Sequence, residues 1–175
     1  MEYKFSKQEI RNYSIVRLDG QEIPTSNHFK YLGSIIQKDG DIDSDVNHRI
    51  QAGWLKWRRA IGVLCDRNIP LWLKEKFYQT AIRPALLYGT KCWAIKRHHA
   101  QKMSVTEMRM LRWMCGNTQR DKVRNEDIRT KIGVTSIEKK MRENRLWWFG
   151  HVRCRPTDVP VRRVERINLG QVKKA

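Results

Sequence analysis

The sequence predicts a mainly α-helical protein that has a short antiparallel β-hairpin region at its N-terminus, about five helices and a basic C-terminal tail. Residues 29–40 read FKYLGSIIQKDG, in which the apolar positions suit a half-buried strand. Upstream, Asp19-Gly20 is a strong hairpin-turn pair. After Gly40, apolar residues recur every three or four positions, which is helical spacing. The chain therefore changes from strands to helices near residue 40.

The first forty residues are expected to form a small sheet. Residues 13–18, the region of Ile23, and residues 31–36 are its predicted strands. Gly33 lies inside an apolar run, which predicts a bulge or the close approach of another backbone. Two or three strands are marginally stable alone, so a helix should cover this sheet.

A first helix is expected to begin near Asp43 or Ser44, where carboxylates favour the helix dipole. Its predicted apolar face comprises Val46, Ile50, Trp54, Trp57, Ile61 and Leu64. Its predicted basic face comprises Arg49, Lys56, Arg58 and Arg59.

Two further helices are marked by proline and glycine. Pro70 should open the second, Pro84 should end or bend it, and Gly89 should stop it. The predicted buried side of that helix is Leu73, Phe77, Tyr78, Ala81 and Ile82. The third helix should span residues 98–115, and its inward residues are Met103, Met110, Leu111 and Met114.

The last two helices are expected on either side of Gly133. Asn125 should cap a helix over residues 126–132. Thr135 and Glu138 fit a capping box that begins a helix reaching about Val152. Its apolar residues are Ile137, Met141, Leu146, Trp148, Phe149 and Val152, while Trp147 lies off that stripe and should be exposed.

The charge of the chain predicts a polyanionic partner. The net charge is +18, and residues 91–175 hold 22 basic and 8 acidic side chains. Such a bias favours nucleic acid, bound mainly by the second half. No secretory signal follows Met1 and no apolar run could span a bilayer, so an intracellular protein, nuclear or cytoplasmic, is expected. The four scattered cysteines are then reduced thiols.

Metal, cofactor and catalytic motifs are not expected. Residues 39–50 begin like a calcium loop, but Ser44 and Ile50 stand where that loop needs Gly and Glu. The groups around His98-His99 and His151 do not form a four-ligand zinc set. The chain lacks the paired aspartates of a two-metal polymerase, a nucleophile elbow and a phosphate-binding loop. We therefore expect no enzyme activity.

Residues 125–152 could alternatively form a helix-turn-helix that reads DNA sequence. Its second helix would present Lys139, Lys140, Arg142 and Arg145 to the bases. The same side chains would serve contacts to phosphate alone, so the pattern leaves both interpretations open.

Five blocks of the sequence resemble one protein family. They are residues 29–36 (FKYLGSII) with 38–40, 77–89 (FYQTAIRPALLYG) with 92–93, 107–113 (EMRMLRW), 124–129 (RNEDIR) and 143–152 (ENRLWWFGHV). In this order they resemble the end of the palm, the thumb and the extension of LINE-type (non-LTR) retrotransposon reverse transcriptases, closest to plant-type elements. The likeness runs from about residue 29 to 163.

The resemblance implies a division of the chain and a role for its parts. Residues 1–40 would be the palm end, 41–116 the helical thumb, 117–153 a basic helical extension and 154–175 a tail of low order. The family's catalytic palm, with its metal-binding aspartates, would precede Met1, so RNA-directed DNA synthesis would be lost. A template–primer duplex, of RNA or DNA, would still be bound through its backbone, and docking onto an intact reverse transcriptase stays open.

Site residues follow from that role. Phe29, Tyr31, Leu32 and Gly33 would lie where the palm meets the thumb and the primer end is held. The expected phosphate contacts are Lys56, Arg58, Arg59, Arg120, Lys122, Arg124, Lys139, Lys140, Arg142, Arg145 and Arg153. A relic of the same gene without any partner is the remaining alternative.

Overall fold

The computed structural model describes residues 17–24 and 26–163, and this part of the chain is mainly helical. Two small hairpins come first. β1 (Arg17–Leu18) pairs with β2 (Gln21–Glu22), and β3 (His28–Tyr31) pairs with β4 (Ser34–Gln37), both antiparallel. The predicted single sheet is thus two separate two-stranded sheets. Residues 13–16 of the first predicted strand lie outside the described residues.

Gly33 belongs to a turn, so the predicted bulge is wrong, and the groups that approach it are the side chains of Arg49 and Tyr88 and not another backbone. Leu32 and Gly33 both have positive φ (47° and 85°) and join β3 to β4 as a two-residue hairpin turn. The apolar pattern continues through this turn, which is why the sequence predicted one strand. Asp19-Gly20 forms the other turn, as predicted, again with positive φ at both residues.

The helices follow from residue 43 onward. They are α1 (Asp43–Leu64), α2 (Leu71–Phe77), α3 (Arg83–Leu87), α4 (Arg97–Met114), α5 (Asn125–Ile132), α6 (Ile137–Arg153) and α7 (Pro160–Arg163). A π-helical turn (Tyr78–Ile82) joins α2 to α3, and a 3₁₀ turn (Thr90–Cys92) follows α3. Pro84 lacks the N–H that would bond to the carbonyl of Thr80, and the wider π turn accommodates this loss.

One apolar core lies between the long helices. Its fully buried members include Trp57 and Leu64 on α1, Leu86 on α3, Leu111 on α4 and Ile137 on α6. The core residues continue from α1 to α6, across residue 116. The division of the chain at residues 40, 116 and 153 stays a prediction.

Two helix starts differ from their predictions by one residue. Arg124 precedes α5, and the side-chain oxygen of Asn125 accepts from Arg112 Nη2 (2.8 Å) instead of capping. Ser136 caps α6 by accepting from the N–H of Lys139 (3.3 Å), so the Thr135–Glu138 capping box is wrong. The carbonyl of Thr135 accepts instead from Arg83.

Several predicted faces need correction. Arg49 is buried, because it pairs with Asp45 and donates to Gly33 and Ser34. The following residues of the predicted apolar stripes are exposed: Ile61, Leu73, Phe77, Leu146 and Phe149. Of the predicted tail, residues 164–175 lie outside the described residues and α7 occupies part of the rest.

A buried carboxylate connects four helical elements. Glu107 on α4 accepts from Tyr78 Oη (3.1 Å), Arg83 Nη2 (3.2 Å) and the first N–H of α6, that of Ile137 (2.8 Å). Burial raises the pKa of Glu107, while Arg83 acts in the opposite direction. The carboxylate thereby joins the π turn, α3, α4 and α6 inside the core.

Candidate nucleic-acid interface

The eleven cations predicted to contact phosphate lie at the surface. Ten are exposed, and Lys140 is half-buried because it pairs with Glu143 on the next turn of α6 (3.0 Å). They divide into three groups: Lys56, Arg58 and Arg59 on α1; Arg120, Lys122 and Arg124 between α4 and α5; and Lys139, Lys140, Arg142, Arg145 and Arg153 on α6. Surface position is the condition that phosphate binding requires of them.

One cation from each of the first two groups, Arg58 and Arg120, lines a surface groove along α4. Two adjoining depressions of about 690 and 680 Å³ share Arg109 and Trp113 of α4, and we call them together the Trp113 groove. Arg58 lines its α1 end and Arg120 lines its loop end. The other predicted cations, Lys56, Arg59, Lys122 and Arg124, do not line it.

Three tryptophans form one wall of the Trp113 groove. Ring centroids are 5.6 Å apart for Trp54–Trp113, 6.4 Å for Trp57–Trp113 and 6.4 Å for Trp54–Trp57. Trp57 is fully buried, whereas Trp113 keeps 48% of its surface exposed. Trp113 is therefore an aromatic surface supported from beneath by two other rings.

The charge in the Trp113 groove is positive and partly unneutralised. Within residues 17–24 and 26–163, no acidic side chain lines it, and Arg58, Arg109 and Arg120 have no internal partner. Arg112 is different, because its guanidinium donates to the carbonyls of Thr118 and Val123 and to Asn125. Arg112 thus shapes the loop, while the other three arginines are available to an anion.

A second basic depression lies along α6. It measures about 630 Å³, and Arg142, Arg145 and Lys91 line it together with apolar residues of α6 and α7, namely Leu146, Trp148, Phe149, Val152 and Val161. Trp147 beside it is 62% exposed, as predicted, and Lys91 Nζ lies 4.8 Å from its ring centroid. Lys139, Lys140 and Arg153 do not line this depression.

The predicted primer-end residues form the β3–β4 hairpin. The rings of Phe29 and Tyr31 stack with centroids 6.4 Å apart, and Leu32 at the turn is 73% exposed. The helical part holds this hairpin through its main chain. Tyr88 Oη donates to the carbonyl of Leu32 (2.8 Å), and Asp45 Oδ1 accepts from the N–H of Ile35 (3.0 Å).

The Asp45 carboxylate also fixes the segment after α3. Its second oxygen accepts from Trp93 Nε1 at 2.8 Å, and Arg49 on the next turn of α1 lies 3.6 Å from the first. The Arg49 guanidinium lies 4.5 Å from the Tyr88 ring centroid. Two blocks of the sequence that lie some fifty residues apart, around Gly33 and around Tyr88, therefore meet at one buried ion pair.

An Asp–His cluster is the remaining polar group of interest. Asp43, His98 and His99 place possible ligand atoms within 4.8 Å of one another. However, Lys102 Nζ already pairs with Asp43 (2.9 Å), and His99 Nδ1 accepts from the N–H of Lys96 (3.2 Å). Because Nδ1 accepts this bond, neutral His99 carries its proton on Nε2. A protonated ring nitrogen has no lone pair for a metal ion, so the cluster is not suited to bind one. All four cysteines are free thiols.

Several residues of these surfaces were not predicted from the sequence. Arg109 and Trp113 are one helical turn apart, on the side of α4 away from the inward methionines, and that spacing was a usable signal. Asp45 and Arg49 have the same spacing on α1, which was also a usable signal, whereas Lys91 carried none, because its neighbours come from a distant segment.

The fold and its surfaces define a mainly helical protein with a short N-terminal hairpin and two basic grooves that contain aromatic rings. In the described residues, no helix is both long and apolar enough to cross a membrane. No protein-family model matches the chain, and no solved structure is significantly similar to it.

A Caenorhabditis elegans protein that is described as an uncharacterised transposon-derived protein is similar to the chain. The two are 24% identical over an alignment of 133 positions, which covers 72% of this chain and 46% of that protein. The chain thus spans about half the length of its relative.

Proposed function

We propose that this chain is a transposon-derived nucleic-acid-binding protein, and specifically that it corresponds to the thumb and extension of a LINE-type reverse transcriptase. Its function would be to hold RNA or DNA through backbone phosphates, with little sequence preference and without enzyme activity. The observation that carries this proposal is the set of unpaired arginines Arg58, Arg109 and Arg120 around the Trp113 groove.

Three further observations support the proposal. The relative is described as transposon-derived. The net charge is +18. The order of the family-like blocks also has a structural counterpart, since the block around Gly33 and the block around Tyr88 meet at Asp45 and Arg49. Such an arrangement would keep a hairpin at a fixed position beside a helical body.

The test is the salt dependence of binding. We expect affinity for a blunt DNA duplex to fall steeply with salt, because each phosphate contact adds about 0.9 to the slope of log affinity against log salt. Changing Arg58, Arg109 and Arg120 together to Gln should lower that slope by about 2 to 3. Arg67, which is exposed and lines neither groove, gives the control Arg67→Gln. Binding that is insensitive to salt would contradict the proposal.

The helix-turn-helix and relic hypotheses predict other results. A sequence reader would lose preference at particular base pairs when Arg142 is replaced, whereas a backbone binder weakens on all sequences alike. A relic without a partner would bind no nucleic acid at any salt concentration. Selection from random duplexes, followed by the same titration, separates the three.

A further inference from the structure

We propose that the Trp113 groove binds unpaired nucleotides, with a base stacked on Trp113 and the neighbouring phosphates held by Arg58, Arg109 and Arg120. This inference rests on the proposed function and adds to it the strand state of the ligand. Backbone binding needs only exposed cations, whereas this groove also offers an aromatic face and side-chain amides.

The aromatic face is the first argument. Trp113 packs against Trp54 and Trp57 with ring centroids 5.6 and 6.4 Å away, so little side-chain freedom remains to be lost when a base stacks on it. Its exposed surface borders both depressions of the groove. The faces of bases inside an intact duplex are covered by their neighbours, so along a strand only an unpaired base can use this surface.

The polar lining is the second argument. The part of the groove formed by α4 and the following loop contains the amide side chains of Gln101 and Gln119. An amide offers both donors and an acceptor, which suits the edge of a base that is not engaged in pairing. The volume of this part, about 690 Å³, is in the range of sites that enclose small organic ligands.

The distribution of charge is the third argument. Arg58 and Arg109 border the depression that contains Trp54, and Arg109 and Arg120 border the one that contains the amides. Cations therefore lie on both sides of Trp113, as a strand crossing the ring would need. In the described chain the lining lacks acidic residues that would repel phosphate. RNA and DNA single strands share this chemistry.

The experiment compares a fully paired ligand with one that also carries unpaired nucleotides. Fluorescence anisotropy measures the full chain binding to a blunt DNA duplex, and to the same duplex with a single-stranded overhang of about six nucleotides. A second arm uses the corresponding RNA overhang. We expect the overhang to be preferred. Trp113→Leu should reduce affinity for the overhang ligand about tenfold while changing blunt-duplex affinity less than about twofold.

A matched control separates stacking from general effects. Trp72 on α2 is 64% exposed and lines neither the Trp113 groove nor the α6 depression, so Trp72→Leu should leave both affinities unchanged. Photo-crosslinking of an overhang that contains 5-iodouracil provides a readout on the unaltered protein, and the crosslinked peptide should contain Trp113. A crosslink confined to other segments would overturn the inference.

The outcomes distinguish this inference from the proposed function. If the chain binds neither ligand, the proposed function fails. If it binds both equally and Trp113→Leu changes neither, backbone binding stands and the stacking site is refuted. Competition with polyglutamate tests whether the groove binds an acidic protein instead of nucleic acid. If polyglutamate displaces the overhang ligand and its own binding also depends on Trp113, the groove serves an acidic peptide and the inference is wrong.

Discussion

Replacement of Glu107 by Gln is expected to destabilise the whole helical body. The substitution keeps the size of the side chain and removes its charge. Oε1 of Glu107 accepts from Tyr78 and Arg83, and Oε2 accepts from the N–H of Ile137. A Gln has a single acceptor oxygen, so if that oxygen takes the Oε1 position, its NH₂ group faces the N–H of Ile137.

The magnitude follows from these contacts. Losing a hydrogen bond to a charged group costs about 1.5–3 kcal/mol, and breaking a buried ion pair by removing one partner costs about 3–5 kcal/mol. Burial raises the pKa of Glu107, so the charged form already carries a desolvation cost, and removing the charge recovers part of it. We therefore expect the lower end, about 3 kcal/mol. For a domain of this size that corresponds to a fall in Tm of about 6–12 °C.

The assay is thermal and urea unfolding followed by circular dichroism. Glu143→Gln is the matched control, because Glu143 forms the exposed pair with Lys140 and should change stability by less than about 1 kcal/mol. If Glu107→Gln is no more destabilising than Glu143→Gln, the carboxylate does not join the helices as described. That result would refute the role given to Glu107 in the stability of the helical core.

Two further predictions concern packing and pH. A Cβ added at Gly53 would lie 2.8 Å from Leu86 Cγ, so Gly53→Ala should force α1 and α3 apart and cost about 2 kcal/mol of unfolding free energy. Gly62→Ala, on the open side of α1, should be neutral or stabilising by up to about 1 kcal/mol. Urea unfolding measures both, and equal effects would contradict the close contact. Burial lowers the pKa of His99 below 6.5, so the unfolded state binds the proton first as pH falls. Stability should therefore begin to fall as pH drops through about 6.5, where the unfolded state takes up the proton, and level off once the pH is below the folded pKa; His99→Gln should flatten this decline between about pH 7.5 and pH 5.5. Burial also lowers the pKa of His48, which accounts for the slope left in that variant. An unchanged slope would contradict the role given to His99.

The helices were predictable because their spacing is local. The start of α1 near Asp43, the inward methionines of α4 and the stop at Gly133 all follow from periodicity and from glycine backbone conformation. The turn at Leu32-Gly33 was not predictable in the same way, since the apolar pattern does not change there. Contacts from two distant residues, Tyr88 and Arg49, show how that turn is held.

The candidate site was predicted in its parts but not in its arrangement. Arg58 and Arg120 were expected to be exposed cations, which they are. They line one groove only because Arg109 and Trp113 of α4 border both the depression that contains Arg58 and the one that contains Arg120. Arg49 was assigned to the surface by helical spacing alone, yet its buried partner Asp45 lies on the same helix. Spacing gives the direction of a side chain from the helix axis, and tertiary packing decides what it meets there.

The contacts that hold the β3–β4 hairpin determine which of its residues can change. The side chains of Asp45, Arg49 and Tyr88 form hydrogen bonds with main-chain groups of Leu32, Gly33 and Ile35. These bonds do not depend on the side chains of the hairpin. The side chains of Phe29 and Tyr31 are exposed and take no part in these hydrogen bonds. Mutation can therefore change the exposed side chains of the hairpin without moving the hairpin relative to the helices, provided that Asp45, Arg49 and Tyr88 are kept.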